Sequence, residues 1–152
     1  MAGTEVKKEI VNGEVRLSAG SCVFVFRRIR PGVLHAVITG LDNGQFGTTT
    51  LDEIRAEIGR HKPVELFVDA REATGAAVSV SEEWTRFFSA HRSELSRVHV
   101  LVGSKVVSLT VAIAQHLSRT GNLIQIYSDP ETFASKLPAA GGRGVRGEKS
   151  SG

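Results

Sequence analysis

A regular alternation of strand-like and helix-like segments between residues 22 and 137 constrains the fold more than any other feature of the sequence. The apolar runs "PVELFVDA", "VHVLVG" and "NLIQIYS" are each followed by a segment that has helical character. Such alternation is typical of a mostly parallel sheet with helices packed against it. The sequence therefore predicts an α/β fold with a mostly parallel four- to five-stranded sheet and about four helices.

An antiparallel hairpin is predicted at the start of this alternation, in "CVFVFRRIRPGVLHAVITG". Residues 22–29 and 33–39 have the composition of strands. Pro31-Gly32, which lies between them, fits the two central positions of a type II turn. The second strand is apolar on both faces, as a strand in the middle of a sheet would be.

Three of the predicted helices begin at residues that are suited to capping. Thr-x-x-Glu at 50–53 and Ser-x-x-Glu at 79–82 have the spacing of capping boxes. The last helix, in "DPETFASKL", is expected to be capped by Ser128 or Asp129 and to hold Pro130 in its first turn.

One α/β domain is predicted over residues 21–137, flanked by two segments of different composition. A chain of 152 residues suits a single domain with a sizeable core. Residues 1–20 are polar: Asn12-Gly13 favours a tight type I′ hairpin, whereas the short, charged flanks are equally compatible with an irregular segment. Residues 138–152 are rich in glycine and arginine and have no core-forming run, so they are predicted to be disordered.

Charge and hydropathy argue against several classes of function. Two of the three excess positive charges lie after residue 137, so the nearly neutral domain lacks the basic face that nucleic-acid binding needs. The longest uncharged run, 106–118, is too short and too polar to span a membrane. Cys22 is the only cysteine and cannot form an internal disulfide, which fits a reducing compartment. We therefore expect a cytoplasmic protein with no nucleic-acid partner and no transmembrane segment.

The sequence contains no motif for catalysis, phosphate binding or metal binding. It has no G-x-S-x-G nucleophile elbow, no glycine-rich phosphate loop, and no histidine spacing suited to zinc. The sequence therefore predicts a protein without enzymatic activity, cofactor or metal.

Two aspartates and a lysine follow successive predicted strands. Asp42 follows one strand, Asp69 ends the next, and Lys105 follows the third. If these strands are parallel neighbours, the three side chains cluster at the carboxyl edge of the sheet, where α/β proteins bind ligands. One interpretation is a receiver-like phosphoacceptor at Asp69 with bound Mg²⁺, although the adjacent acidic pair and the Lys-Pro step of response-regulator receivers are absent. The other is that both aspartates accept hydrogen bonds from turn amides.

The order of these motifs resembles the STAS domain superfamily, the fold of bacterial anti-sigma-factor antagonists, and more closely its stand-alone STAS/SEC14-like branch. The resemblance rests on "VITGLDNG", in which a strand ends at Gly40 and Asp42, and on "ELFVDAREATG", in which Asp69 ends a central strand. The later segment from "VHVLVGSK" to "FASKL" is similar to the back half of the family. The likeness covers about residues 22–137.

The resemblance implies a non-enzymatic regulatory module that binds protein partners in bacterial signalling. In the phosphorylated branch of the family, the phosphoacceptor is a serine in an Asp-Ser-Ser-Gly motif after the central strand. The corresponding segment here is "AVSV" at 77–80, in which only Ser79 matches. Ser79 is therefore either a phosphorylatable switch or, like Ser81, a helix cap.

The loop predicted at 70–81 and its neighbouring strand ends indicate the surface that would contact a partner. In open α/β sheets, this edge is where ligands are usually bound. The predicted partner-binding residues are Asp42, Asp69, Arg71, Glu72, Thr74, Ser79, Ser81 and Lys105.

A second apolar stripe on the helix predicted at 105–118 leaves a further alternative open. Val107, Val111 and Ala114 form this stripe, although one stripe suffices to cover a sheet. The second stripe would pack under a neighbouring helix, or face a homodimer mate, another partner, or a lipid or small apolar ligand. Because SEC14-like relatives have been linked with lipids, the alternative function is a small apolar ligand or lipid carrier, by analogy at the level of the fold.

Overall fold

A seven-stranded mixed sheet forms the centre of the molecule in a computed structural model, which describes residues 5–103 and 123–138. Neighbours in the sheet follow the chain order; pairings up to the fourth strand are antiparallel, and those beyond it are parallel. The α/β class and the parallel series agree with the prediction, whereas the predicted count of four to five strands is too low. The strands are β1 (Lys7–Val11), β2 (Glu14–Ala19), β3 (Cys22–Arg30), β4 (Val33–Asp42), β5 (Val64–Ala76), β6 (Leu95–Val102) and β7 (Ile124–Tyr127).

The two additional strands come from the polar N-terminal segment. β1 and β2 join at Asn12 and Gly13, whose φ angles of 54° and 81° are the positive values that a type I′ turn requires. β2 then pairs with β3 and buries Leu17 and Ala19 in the core. The hairpin alternative is thus confirmed, because two inward-facing apolar residues fix the segment to the sheet.

The hairpin of β3 and β4 also forms as predicted. Gly32 has a φ of 84°, the positive value that the second central position of a type II turn needs. A Cβ at Gly32 would lie 3.2 Å from the carbonyl oxygen of His61 and 3.3 Å from that of Pro63. Glycine is therefore required here both by the turn and by the close approach of the neighbouring chain.

The described residues form three α-helices, α1 (Thr49–His61), α2 (Val78–Ala90) and α3 (Pro130–Lys136), and a 3₁₀ turn at Arg92–Glu94. The prediction was about four helices, and the helix predicted at 105–118 lies outside the described residues. None of the helices in the described part of the chain is long and apolar enough to cross a membrane.

The helices pack on opposite faces of the sheet. α1 and α2 enclose the main core against one face, here called the α1/α2 face, which includes Phe24, Leu66 and Val68. α3 packs on the other, the α3 face, where Phe133 contacts a smaller cluster around Phe67. Right-handed crossovers in a parallel series that advances in one direction place their helices on the same face, which accounts for the common side of α1 and α2.

The predicted capping box of α1 is wrong. The helix begins at Thr49 after Thr48, which makes no side-chain capping bond, and Thr50 lies inside the helix. Thr50 is buried against the core, so its side chain packs where the sequence pattern suggested a cap.

The predicted capping box of α2 is also wrong. Ser79 lies within the first turn, and Ala77 occupies the N-cap position without a side-chain cap. The turn is closed by the backbone, because the amides of Val80 and Ser81 donate to the carbonyl oxygen of Ala77 at 3.0 and 3.2 Å. The Ser81 hydroxyl donates to the carbonyl oxygen of Val78 at 3.1 Å.

The cap predicted for the last helix is confirmed. The carboxylate of Asp129 accepts hydrogen bonds from the amides of Glu131 at 3.4 Å and Thr132 at 3.2 Å. Pro130 occupies the first turn of α3, where its missing N–H costs no hydrogen bond.

β5 is much longer than predicted. It does not end at Asp69 but continues to Ala76, which is level with Asp42 of β4. The predicted loop at 70–81 is therefore strand as far as residue 76 and helix from residue 78. Small residues that are typical of a turn extend the sheet here because β4 supplies backbone hydrogen-bond partners along the same length.

Candidate functional site

The sheet separates the predicted partner-binding residues onto two faces. Asp42 and Ser81 line a cavity on the α1/α2 face, beneath α2. Asp69 follows Phe67 by two positions in β5, so its side chain lies on the α3 face. The two aspartates therefore belong to different surfaces.

The structure does not bring Asp42 and Asp69 together at one edge, contrary to the prediction. Asp69 is level with Val37, whereas Asp42 is five residues further along β4. Five residues of extended chain span roughly 16 Å. The prediction failed because it ended β5 at Asp69, seven residues before its observed end at Ala76.

Asp69 forms a two-pronged ion pair with Arg71. Nε and Nη2 of Arg71 donate to the two carboxylate oxygens at 3.0 and 2.7 Å, and the backbone N–H of Arg71 donates to Oδ1 at 3.2 Å. Burial acts to raise the pKa of Asp69, but the hydrogen bonds and the charge of Arg71 outweigh it and lower that pKa. The described residues contain no group of three His, Cys, Asp or Glu side chains that could hold a metal. The receiver-like alternative gains no support from this arrangement.

A register shift places a further charged residue beside this pair. Asp69 is paired with Val37 and Glu72 with Thr39, so β5 advances three residues where β4 advances two. The extra residue in β5 is characteristic of a β-bulge. Because Val37 and Thr39 share a face, Asp69 and Glu72 also share the α3 face. Arg71 and Glu72 are both exposed, so this part of the sheet presents charges to solvent.

Asp42 is held in a tight turn and buried. Its Oδ1 accepts a hydrogen bond from the amide of Gly44 at 2.9 Å, and its carbonyl oxygen accepts one from the amide of Ala77 at 2.9 Å. The interpretation of Asp42 as a residue that binds a turn amide is therefore confirmed. Burial raises the pKa of Asp42, the Gly44 amide lowers it, and the negative charge of Glu83 raises it further; the net direction is upward.

The cavity beside Asp42, here called the Asp42 cavity, has a volume of about 110 Å³. It lies between the α1/α2 face of the sheet and α2, and its walls are mostly apolar. Residues that line it include Phe24, Asp42, Val68, Trp84, Phe88 and Val100.

Two large apolar side chains are exposed at the end of β4 and the start of α2. Leu41 is 38% exposed and Val78 is 70% exposed. They flank the hydrogen bond between the Ala77 amide and the Asp42 carbonyl oxygen, which brings the two segments together. We call this region the Leu41/Val78 surface; the predicted contact residue Ser79 is exposed directly after Val78, and the predicted contact residue Thr74 is exposed on β5.

A buried polar network on the α3 face was not predicted. Nε2 of His99 lies 2.7 Å from Oε2 of Glu65, and Nδ1 of His99 lies 2.7 Å from the hydroxyl of Tyr127. The imidazole stacks on Phe67 with ring centroids 4.2 Å apart. Burial lowers the pKa of His99, although Glu65 opposes that shift. The imidazole is hydrogen-bonded at both nitrogens and so links β5, β6 and β7 beneath α3.

Sequence reasoning could not find this network because it depends on strand register. Phe67 is level with His99, and His99 with Gln125, across the parallel pairs. Three polar residues on separate strands carry no common motif, and only the pairing places them side by side.

Four predicted site residues lie outside the described part of the chain. These are the contact residue Lys105 and the apolar residues Val107, Val111 and Ala114. The tail predicted at 138–152 also lies outside it, except for residue 138.

Comparisons with known proteins identify the fold. No protein-family model matches the sequence, and no curated protein sequence matches it. Among solved structures, the chain is similar to an uncharacterised protein of the DUF3478 family from Shewanella loihica PV-4, described as having a SpoIIAA-like fold. The match has a TM-score of 0.50 and 13% sequence identity, and it covers 88% of this chain and 92% of the other.

The seven-stranded α/β architecture therefore falls in a known fold class. It is the SpoIIAA-like fold, which is the STAS-like fold that the sequence resemblance implied. At 13% identity the likeness shows the fold alone, and function has to be argued from the surfaces of this chain.

Proposed function

We propose that the chain is a non-enzymatic regulatory module of STAS type, which binds a protein partner through the Leu41/Val78 surface. The observation that carries the proposal is the exposure of Val78 in the first turn of α2 and of Leu41 at the end of β4, two segments joined by the hydrogen bond from the Ala77 amide to the Asp42 carbonyl oxygen. Large apolar side chains that are exposed among polar residues are characteristic of protein-interaction sites.

The start of α2 adds a polar component to this surface. No side chain caps the helix, and no acidic residue lies in its first turn. The unpaired amides at a helix N-terminus carry partial positive charge, which favours an acidic group of a partner. A partner segment with an apolar side chain next to a carboxylate would complement this surface.

Ser79 offers a means of regulating that contact. It is exposed in the first turn of α2, directly after Val78. A phosphate at this position is electrostatically compatible with the helix N-terminus and would compete with an acidic group of the partner. Phosphorylation of Ser79 would therefore weaken binding without unfolding the helix.

The proposal is tested by affinity capture with quantitative mass spectrometry, using Val78→Asp. An aspartate in the first turn is favourable for the helix, so the variant removes the apolar contact without destabilising α2. We expect the proteins retained by the wild type to fall about tenfold, as for the loss of one central apolar contact residue. Thermal melting of each variant checks that the fold is retained.

Ile10→Asp is the matched control. Ile10 is 67% exposed, comparable to Val78, but it lies on β1 at the far edge of the sheet. This variant should retain the same proteins as the wild type. If Val78→Asp also retains them, the Leu41/Val78 surface is not the binding site.

A further inference from the structure

The Asp42 cavity combines three aromatic side chains with a buried carboxylate. Phe24, Trp84 and Phe88 line it together with Asp42. The centroids of Phe24 and Trp84 are 6.0 Å apart in a stacked arrangement, and those of Trp84 and Phe88 are 5.7 Å apart at an interplanar angle of 67°. Aromatic faces attract cations, and most strongly when water is excluded.

Asp42 has an oxygen that the described residues leave without a hydrogen bond. The side chain is 5% exposed, and its one hydrogen bond, from the Gly44 amide, is to Oδ1. No residue within 5–103 and 123–138 donates to Oδ2. A buried polar atom without a partner is unfavourable and rare, so Oδ2 is suited to a donor on a bound molecule.

The other polar groups of the cavity wall do not compete for this role. The hydroxyl of Thr85 donates to the carbonyl oxygen of Ser81 at 2.8 Å, and that of Ser81 donates to the carbonyl oxygen of Val78 at 3.1 Å. Glu83 adds a second negative charge that acts on Asp42. The cavity therefore presents an acceptor and a negative potential, which favour a cation over a neutral or anionic molecule.

The volume of the cavity limits the size of its ligand. About 110 Å³ is somewhat smaller than the cavity of about 150 Å³ that holds benzene in another protein. One ring, or a short branched alkyl group, is the largest apolar body that this volume suits.

We propose that the Asp42 cavity binds a small primary amine with one apolar ring or short alkyl group. The ammonium group donates to Oδ2 of Asp42, and the apolar body lies against Phe24, Trp84 and Phe88. The site goes beyond the proposed protein interaction and does not depend on it, because Val78 and Leu41 do not line the cavity.

Trp84 makes the proposal directly testable, because it is the only tryptophan of the chain and lies in the cavity wall. The full-length protein is titrated with benzylamine, benzyl alcohol and benzoate while Trp84 fluorescence is recorded. Benzylamine should produce a saturable change, and the other two should bind at least about tenfold more weakly, as expected for loss of a charge-assisted hydrogen bond. Equal binding of benzyl alcohol, or no saturable change with benzylamine, would overturn the proposal.

Asp42→Asn tests the role of the carboxylate. The amide oxygen can still accept the hydrogen bond from Gly44, but the negative charge is lost. We expect the preference for benzylamine over benzyl alcohol to disappear. Asp52→Asn, an exposed change on α1, is the control and should bind benzylamine like the wild type.

An Asp42→Asn variant that folds and still prefers benzylamine would contradict the proposal. If that variant does not fold, the comparison of the three probes on the wild type still decides the question. Since Val78→Asp should not alter the Trp84 titration, failure of the amine site and failure of the protein-interaction site are distinguishable.

Discussion

Replacement of Glu57 by glutamine should destabilise the protein, because Glu57 joins α1 to the β3–β4 hairpin through a buried carboxylate. Its side chain is 1% exposed. Nε and Nη2 of Arg28 donate to it at 3.1 and 2.9 Å, the amide of Gly32 donates at 3.1 Å, and Arg60 donates at 3.2 Å. Glu57→Gln retains one acceptor oxygen and places an NH₂ group against these donors.

The size of the stability loss in Glu57→Gln depends on how exposed Arg28 and Arg60 are. Breaking a buried ion pair by removing one partner costs about 3–5 kcal/mol. Arg28 and Arg60 are 41% and 55% exposed, so water can solvate both guanidinium groups in the variant. We therefore expect the free energy of unfolding to fall by about 2–3 kcal/mol. This is at or below the lower end of the range for a broken buried ion pair, because the guanidinium groups of the variant are not left buried.

Urea denaturation followed by Trp84 fluorescence measures this loss. In a chain of this size, 1 kcal/mol corresponds to about 2–4 °C in Tm, so thermal unfolding should show a decrease of roughly 5–10 °C. Glu53→Gln on the same helix is the matched control; it removes the more exposed ion pair with Lys8, which should cost about 0–1 kcal/mol. If Glu57→Gln costs no more than Glu53→Gln, the reasoning about the buried carboxylate is refuted.

The pH dependence provides a second measure of the same interaction. Burial acts to raise the pKa of Glu57, but hydrogen bonds from Arg28, Gly32 and Arg60 lower it overall. With a folded pKa below the unfolded value of about 4.3, the stabilisation is fully present above that pH and is lost as the pH falls through the folded pKa. The difference in unfolding free energy between the wild type and Glu57→Gln should therefore be constant near neutral pH and narrow below about pH 4. A difference that persists unchanged in acid would show that the carboxylate charge is not its source.

Two further substitutions test the N-terminal hairpin and the buried network. Leu17→Ala removes a side chain that is 0% exposed in β2, and it should lower the free energy of unfolding, measured by urea denaturation, by about 2–5 kcal/mol. The control Val11→Ala, on exposed β1, should change that free energy by less than about 0.5 kcal/mol. Equal effects of the two substitutions would mean that β2 contributes nothing to the core. Tyr127→Phe removes the hydroxyl that lies 2.7 Å from Nδ1 of His99, and it should lower the free energy of unfolding by about 1–3 kcal/mol. Thermal melting measures this loss, and an unchanged Tm would show that the hydrogen bond adds no net stability.

The sequence was most informative where structure depends on a few adjacent residues. Asn12-Gly13 and Pro31-Gly32 form the expected turns because their backbone conformations are chosen locally. Asp129 caps α3 for the same reason, since the donors lie two and three residues away. The capping boxes of α1 and α2 were wrong because packing decided where those helices begin, as the burial of Thr50 shows.

The candidate site was less predictable because strand pairing places its residues. One of the two interpretations of Asp42, that it bonds a turn amide, was correct. Its position in an apolar cavity beside Trp84 depends on how α2 packs on the sheet. The network of Glu65, His99 and Tyr127 forms only through the register of three parallel strands. Neither arrangement has a signature within one segment of sequence.

By itself, the sequence determined the α/β class and the order of the elements from residue 22 onward, because apolar periodicity and turn chemistry depend on neighbouring residues. The STAS-like fold was implied by the resemblance of its motifs to that family, and the structural comparison supports it. The tertiary structure alone decided that β5 continues to Ala76, and that Asp42 and Asp69 lie on opposite faces of the sheet. The physical reason is the same in both cases. A strand ends where its neighbour no longer supplies backbone hydrogen bonds, and the face of a side chain depends on its register with that neighbour.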